Sequence, residues 1–185
     1  SGACLFAKAP SREEVYADIF SNLTSFFRVL RTPKLRRRLI DLVELTPYSR
    51  NEFEEALDAL DKSDGKDEAR LAFAFLTSCN FARNGRGART ADFSYGKGKK
   101  KSHASAWAKL PARLAWAGQR LKEVQIENLP FEQTLRRYDS KTSFFLLDPP
   151  FVAGVRVSPN VYTHEFCSRD QHIRLLRLLK NSIKG

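Results

Sequence analysis

An apolar run that ends in two prolines restricts the possible folds of this 185-residue chain more than any other feature. Residues 143–147 read SFFLL, and Asp148 follows them directly, before Pro149 and Pro150. A short aromatic and aliphatic run of this kind is typical of a strand buried on both faces of a parallel sheet. Because prolines cannot donate ladder hydrogen bonds and have a fixed φ, the strand must end there in a stiff turn. The sequence therefore predicts that Asp148 lies at the carboxyl edge of a sheet, where doubly wound folds bind ligands.

Two other segments with strand character are each followed by a helical pattern. Residues 13–19 (EEVYADI) precede apolar positions of helical spacing at 22–30, and residues 123–127 (EVQIE) precede a second such pattern at 130–138. A third helical pattern, at 169–183, follows the SFFLL run. Strands that alternate with helices predict an α/β fold with a Rossmann-like, doubly wound and mainly parallel sheet.

The stretch between the first two of these strand–helix units has no strand pattern. It contains four helical patterns, at 34–45, 51–60, 67–81 and 104–121. We therefore predict that residues 1–32 and 122–185 form the α/β region, and that residues 33–121 form a helical insertion.

The charge of the chain indicates a polyanionic partner. Lys and Arg outnumber Asp and Glu by 32 to 21, which gives a net charge of +11. Between Phe81 and His103 there is one acid and seven basic residues: Arg83, Arg86, Arg89, Lys97, Lys99, Lys100 and Lys101. More than half of the excess charge therefore lies in one short stretch of the insertion, and nucleic acid is its simplest partner.

Cysteine usage and hydropathy predict the compartment. Cys4, Cys79 and Cys167 form no CxxC pair, so neither a disulfide framework nor a metal site is expected. No apolar run approaches the ~18 residues of a membrane helix, and no leader pattern opens the chain. We expect a cytoplasmic protein that contacts no membrane. The chain contains no methionine and opens on Ser1, so we expect it to be a fragment of a longer protein, incomplete at both ends.

Polar residues end each predicted strand. These residues are Asp18, the pair Glu127 and Asn128, and Asp148, and ligands bind outside the carboxyl ends of parallel strands. In nucleotide sites, an acid that follows a glycine turn by ~20 residues binds ribose hydroxyls, and the interval from Gly2 to Asp18 is compatible with this. Asp18 alone is equally compatible with a helix cap before Ser21, so both interpretations stay open.

Several stretches of the chain, taken in order, resemble a known family. They are SGACLFAKAPS, EVYADIFSNLTSFFRVLR, ELTPYSRNEFEEAL, VQIENLPFEQTLRRYDS and FFLLDPPF, followed by YTHEF and DQHIRLL. They are similar to the Dam-type adenine-specific DNA methyltransferases, especially the phage-like and prophage-like branch. The resemblance covers nearly the whole chain. DPPF alone is moderately specific, whereas DPPF after an ADI strand, a basic helical insertion and VQIEN is much more so.

The resemblance implies transfer of a methyl group from S-adenosylmethionine to the N6 amine of an adenine flipped out of double-stranded DNA. It assigns the catalytic turn to Asp148, Pro149, Pro150 and Phe151. The Asp148 carboxylate and the Pro149 carbonyl would accept the amine hydrogens, while Phe151 would stack on the base. A motif that begins with Asp rather than Asn favours adenine, or less often cytosine, over glutamine or RNA guanine. An RNA or protein methyltransferase is therefore disfavoured.

The resemblance also assigns the cofactor-binding residues. Asp18 would bind the ribose hydroxyls, Ile19 would contact the adenine face, and Asn128 would lie near the purine edge. Ser1 and Gly2 would be the end of a glycine loop, most of which would lie upstream of this chain.

The resemblance makes the insertion a target-recognition region of a protein that acts as a monomer, without a metal. Arg86 and Arg89 would read guanine edges, and the lysines would contact phosphates. The expected DNA-binding residues are Tyr48, Arg50, Arg83, Arg86, Arg89, Lys97, Lys99, Lys100 and Lys101. Any single one of these charges is also compatible with a solvated loop. The alternative for the whole chain is a catalytically inactive relic that binds DNA only. The target site, and a restriction-modification or phage role, are not specified by the sequence.

Overall fold

The computed structural model describes residues 2–62, 67–83, 92–95, 102–152, 166 and 168–184. The elements in chain order are α1 (Gly2–Ala7), β1 (Glu14–Ala17), α2 (Ser21–Arg31), α3 (Pro33–Leu45), α4 (Arg50–Asp61), α5 (Glu68–Phe81), α6 (His103–Trp107), α7 (Leu110–Arg120), a 3₁₀ turn (Leu121–Glu123), β2 (Val124–Glu127), α8 (Phe131–Tyr138) and α9 (Arg169–Ser182). Strands β1 and β2 pair as a small parallel sheet.

The chain divides into two compact units. The first, which we call the terminal unit, comprises Ser1–Thr24 and Gln125–Gly185. The second, which we call the helical unit, is the continuous stretch Ser25–Val124.

The helices of the helical unit begin where the sequence supplies a suitable first residue. Pro33 opens α3, a position where its missing N–H leaves no hydrogen bond unmade. Ser49 caps α4 by accepting a hydrogen bond from the Glu52 N–H. Asp67 caps α5 in the same way, by accepting from the Arg70 N–H. Since a side-chain cap satisfies one of the four unpaired N–H groups of a helix start, these residues fix where the helices begin.

The core of the helical unit forms around α5, which packs against α3 and α4. Leu39 of α3 and Phe81 of α5 are completely buried. Helix α7 packs on α3 at Gly118, which lies against the Leu30 carbonyl and the side chain of Arg36. The Arg36 Nη1 also donates to the Leu30 oxygen at 2.9 Å. A residue without a side chain is therefore required at this crossing.

The prediction of one continuous helix at 104–121 was wrong, because the chain forms α6 and α7 with a break at residues 108–109. Pro111 explains the break, since its ring would clash with the carbonyl of Trp107 in a continuous helix and it has no N–H to donate. Trp107 itself is buried, and its Nε1 donates to the Thr46 oxygen at 2.8 Å.

In the terminal unit, α8 and α9 pack together through Leu135, Leu175 and Leu178. Helix α9 begins with a capping box, in which the Ser168 hydroxyl accepts from the Gln171 N–H and the Gln171 side chain accepts from the Ser168 N–H. This reciprocal pair fixes the first turn of α9.

The predicted strand at 143–147 is not a strand. Phe144 is 89% exposed and Leu146 is 56% exposed, so the run is not buried on both faces. In the described part of the chain, the sheet contains β1 and β2 alone. Apolar composition meets one requirement of a buried strand, but a strand also needs a hydrogen-bonded neighbour, which composition does not reveal. The structure therefore shows a mainly helical α/β chain with a two-stranded parallel sheet, and only weakly the doubly wound sheet predicted.

Candidate functional site

Hydrogen bonds from one side chain fix the carboxyl ends of β1 and β2. The Asn128 Nδ2 donates to the Asp18 oxygen at 2.9 Å and to the Ile19 oxygen at 3.0 Å. The Asp18 N–H donates to the Glu127 oxygen at 3.1 Å. We call Asp18, Ile19 and Asn128 the strand-end clasp. The structure thus brings together three residues that were predicted from the sequence to bind the cofactor.

The Asp18 carboxylate stabilises the turn that follows it. Its Oδ1 accepts from the Phe20 N–H at 2.9 Å, and its Oδ2 accepts from the Tyr16 hydroxyl at 3.1 Å. Burial, and to a lesser extent the negative charge of Asp18, raise the pKa of Tyr16, so Tyr16 stays a neutral donor. A carboxylate has about four acceptor positions, so these two hydrogen bonds leave acceptor capacity for a ligand. The turn-forming interpretation of Asp18 and the ligand-binding one are therefore compatible.

The other two side chains of the clasp are exposed at the strand ends. Ile19 is 48% exposed and offers an apolar surface directly beside the Asp18 carboxylate. Asn128 uses both hydrogens of its amide within the clasp, so its remaining capacity is that of an acceptor, at Oδ1. Gly2 is the first residue of α1, and Ser1 lies outside the described residues.

The segment that carries the double proline is tied to the end of α8. The Ser143 hydroxyl donates to the Tyr138 oxygen at 2.6 Å. The Tyr138 hydroxyl in turn donates to Glu127 Oε1 at 2.5 Å, and this hydrogen bond raises the pKa of Tyr138. The start of the segment is therefore linked through α8 to the last residue of β2.

Beyond that link, Asp148 is exposed and Phe151 is 74% exposed, whereas Pro149 and Pro150 are half-buried. Two prolines in succession restrict the backbone between the acid and the aromatic ring. The structure thus presents a carboxylate and a large flat apolar surface on one conformationally restricted turn.

Tyr48, predicted to touch DNA, has a structural role in the helical unit. Its hydroxyl donates to the Ser94 oxygen at 2.7 Å, and its ring lies 4.2 Å from the Phe81 ring. It is also stacked on His103, with 5.9 Å between ring centres. Burial raises the pKa of Tyr48, and the hydrogen bond to Ser94 partly offsets this. Tyr48 therefore holds residues 92–95 against the helical core.

A short antiparallel bridge joins the two ends of the first part of the most basic stretch, residues 83–92. Ala82 pairs with Phe93, the Arg83 N–H donates to the Asp92 oxygen at 2.8 Å, and the Ser94 N–H donates to the Phe81 oxygen at 2.7 Å. Six of the predicted DNA-binding residues lie outside the described residues: Arg86, Arg89, Lys97, Lys99, Lys100 and Lys101.

The two described arginines beside this bridge each lie over an aromatic ring. The Arg50 guanidinium is 5.2 Å from the centre of the Phe93 ring, and that of Arg83 is 5.6 Å from the centre of the Tyr95 ring. Tyr95 is 52% exposed, and it was not predicted as a site residue because the charges of this stretch alone do not point to its ring. An exposed aromatic ring paired with an arginine is a surface on which nucleobases stack.

Neither a metal site nor a membrane segment is found in the described residues. No group of three or more His, Cys, Asp or Glu side chains there is arranged to hold a metal ion. None of the helices within the same ranges has the length and apolar character that crossing a membrane requires.

Comparison with known families places the chain among the DNA methyltransferases. The model of the D12 class N6 adenine-specific DNA methyltransferase family matches residues 1–184. The chain therefore belongs to this family, whose members are S-adenosylmethionine-dependent transferases. The family predicted from the sequence is confirmed. Among curated proteins, none matches the sequence.

Proposed function

We propose that this protein transfers a methyl group from S-adenosylmethionine to the N6 amine of an adenine that is flipped out of duplex DNA at a specific site. The observation that carries the proposal is the turn at residues 148–151, where Asp148 and Phe151 are both exposed around two half-buried prolines. Family membership supplies the reaction class, and this turn supplies the groups that the target base would contact.

The adenine amine is a poor nucleophile because its lone pair is delocalised into the ring. The Asp148 carboxylate and the Pro149 carbonyl can each accept one of its hydrogens, which favours a pyramidal nitrogen with a localised lone pair. The same two acceptors would stabilise the positive charge that develops on nitrogen, so positioning and electrostatics account for the catalysis. Pro150 restricts the turn, and Phe151 would stack on the base and offset part of its lost stacking.

The strand-end clasp offers acceptors and an apolar surface, which suit the hydroxyls, amine and adenine ring of S-adenosylmethionine. Asp18 retains acceptor capacity for two ribose hydroxyls, Ile19 offers an apolar surface to the adenine ring, and Asn128 Oδ1 can accept from the purine amine. Gly2, at the start of α1, and Ser1 would complete the site as the end of a glycine loop. When bound, the cofactor supplies a methyl group on a positively charged sulfur.

The helical insertion, residues 33–121, would recognise the target. Arg83 with the exposed ring of Tyr95 provides cationic and aromatic surface beside the bridge, and Arg50, which lies over the buried ring of Phe93, adds a second cation. Between and beyond these positions, Arg86 and Arg89 would read guanine edges, and Lys97 and Lys99–Lys101 would contact phosphates. We expect the protein to bind double-stranded DNA as a monomer.

The test is transfer of labelled methyl groups from S-adenosylmethionine to unmethylated plasmid DNA, followed by nucleoside analysis. Asp148→Ala should lower the rate by about 10²–10³-fold, the usual effect of removing one preorganised electrostatic group. Asp41→Ala, which removes an exposed carboxylate from α3, is the matched control and should leave the rate unchanged. Phe151→Ala should weaken transfer, and Phe151→Trp should retain most of it.

Two results would contradict the proposal. Labelling of cytosine instead of adenine would overturn the assigned target. A protein that binds both the cofactor and DNA but transfers nothing would favour the alternative of a relic that binds DNA without catalysis.

A further inference from the structure

A small notch lies where α6 meets α7 in the helical unit. It is lined by Ser105, Ala106, Lys109 and Arg113 and has a volume of about 160 Å³. We call it the junction notch. Its lining combines a hydroxyl group, two cations and no acid, which is the chemistry of an anion site.

The sequence around the notch keeps acids away from it. From Phe93 to Lys122 there is no Asp or Glu, while eight residues are Lys or Arg. Lys109 and Arg113 are both exposed, and neither forms an ion pair with an acid in the described ranges. Three other described cations of the helical unit do pair with acids, namely Arg38 and Arg70 with Asp67 and Lys62 with Asp58.

The two cations are also placed where they repel each other. Lys109 is the residue that precedes α7, and Arg113 follows it by four positions on the same side of the helix start. Like charges at this spacing destabilise a helix, and cations at the positive end of the helix dipole do so as well. An anion bound between them would remove both penalties.

We propose that the junction notch binds one phosphate of the DNA backbone, with Lys109 and Arg113 as its cationic contacts and Ser105 as a hydroxyl donor. The inference rests on the proposed function only in taking DNA as the substrate, and it does not depend on Asp148. A DNA phosphate is favoured over a free anion because both cations are exposed to solvent. A single small anion would bind weakly at such an open notch, whereas a polyanion is also held by contacts elsewhere on the protein. The notch would extend the predicted DNA-binding surface beyond Lys101.

The test is the salt dependence of binding to a fluorescent 30-base-pair duplex, measured by anisotropy between 50 and 200 mM salt. Each neutralised phosphate contributes about 0.9 to the slope of log K against log salt. The double variant K109A/R113A should therefore lose about 0.9 of slope. The ratio of its dissociation constant to that of wild type should therefore be about 3.5-fold smaller at 200 mM salt than at 50 mM.

Two control variants separate a specific contact from a general loss of charge. R177A/K180A removes two exposed cations from α9 and should keep the wild-type slope. K109R/R113K keeps both charges of the notch and should also keep it. Thermal unfolding of each variant shows that it is folded. Equal loss of slope in R177A/K180A would overturn the inference, as would an unchanged slope in K109A/R113A.

The remaining outcomes separate this inference from the proposed function. Asp148→Ala should lose transfer and keep the wild-type slope, whereas K109A/R113A should lose slope. If wild type binds DNA and transfers methyl groups but K109A/R113A keeps its slope, the inference alone fails. If wild type shows no salt-dependent binding to DNA, both fail. If calorimetry shows that inorganic phosphate binds wild type but not K109A/R113A, while the DNA slope is the same for both, the notch is a site for free anions and the inference is overturned.

Discussion

Replacing Asn128 tests whether the strand-end clasp holds the cofactor site together. In Asn128→Ala, the backbone oxygens of Asp18 and Ile19 lose the donors that lie 2.9 and 3.0 Å away. Each such hydrogen bond contributes about 0.5–1.5 kcal/mol net, and the exposure of Asn128 places both in the lower half of that range. We expect the free energy of unfolding to fall by about 1–2 kcal/mol.

For a chain of this length, that loss lowers the melting temperature by about 2–8 °C. The measurement is thermal unfolding followed by circular dichroism. Calorimetry with S-adenosylmethionine is the second readout. We expect the cofactor to bind several-fold more weakly, because Asp18 and Ile19 are no longer held in place. Asn128→Asp should be worse than Asn128→Ala at neutral pH, since a carboxylate would face two carbonyl oxygens with no hydrogen to donate.

The matched control is Asn181→Ala, which removes an exposed amide from α9 in the same unit. It should change the melting temperature by no more than a surface substitution normally does, about ±0.5 kcal/mol in stability. If Asn128→Ala behaves like Asn181→Ala in both measurements, the clasp contributes nothing and the reasoning is refuted. If stability falls but cofactor affinity is unchanged, the clasp is structural only.

Three further predictions concern packing and ionisation. Gly118→Ala should destabilise the protein by about 1–3 kcal/mol in urea unfolding, although Ala is the better helix former, because its Cβ would lie 2.5 Å from the Leu30 oxygen. In iodoacetamide labelling followed by peptide mass spectrometry at pH 8, Cys79 should react at least about ten-fold more slowly than Cys4, because burial raises the pKa of Cys79 whereas Cys4 is exposed. In the folded protein the pKa of Tyr16 is raised above its ordinary value of 10.0, so the folded chain keeps this proton at a pH where the unfolded chain loses it. The contribution of Tyr16 to the free energy of unfolding is therefore fully present below pH 10 and is lost as the pH rises further. Tyr16→Phe should show a shallower loss of stability in alkali.

Each of these has a clear contrary result. A more stable Gly118→Ala protein would mean that α7 does not approach the Leu30 carbonyl as described. Equal labelling rates would mean that Cys79 is accessible. Parallel profiles of stability against pH for wild type and Tyr16→Phe above pH 10 would mean that the pKa of Tyr16 is the same in the folded and the unfolded chain.

Helices were predictable from the sequence because their information is local. The apolar spacing at 22–30 lies within the segment that it specifies, and the capping residues Ser49 and Asp67 lie directly before the helices that they cap. Helices α2, α4 and α5 form where expected. The break before α7 also has a local cause in the sequence, Pro111. The apolar pattern at 104–121 favours one continuous helix, and the two signals therefore disagree at this point. A proline inside a helical pattern should have ended the predicted helix.

The segment 143–147 shows what local information cannot supply. Its composition is that of a buried strand, yet Phe144 is largely exposed, because strand formation depends on a partner elsewhere in the chain. The same limit applies to Asn128. Its position after a predicted strand suggested a ligand-binding residue, but its two hydrogen bonds to β1 depend on pairing over about 110 residues. The roles of Asp148, Phe151 and the clasp toward substrates stay predictions.

The bridge between Ala82 and Phe93 has a consequence for which substitutions the chain between its two ends can accept. Backbone hydrogen bonds on both sides of the bridge, together with the Tyr48 hydroxyl, fix the two ends of the stretch 84–91 to the helical core. None of these hydrogen bonds uses a side chain from within that stretch. Substitutions among those eight residues therefore leave these anchoring hydrogen bonds in place. Since we propose that Arg86 and Arg89 read the target, we expect such substitutions to alter target choice without removing the anchors of the stretch.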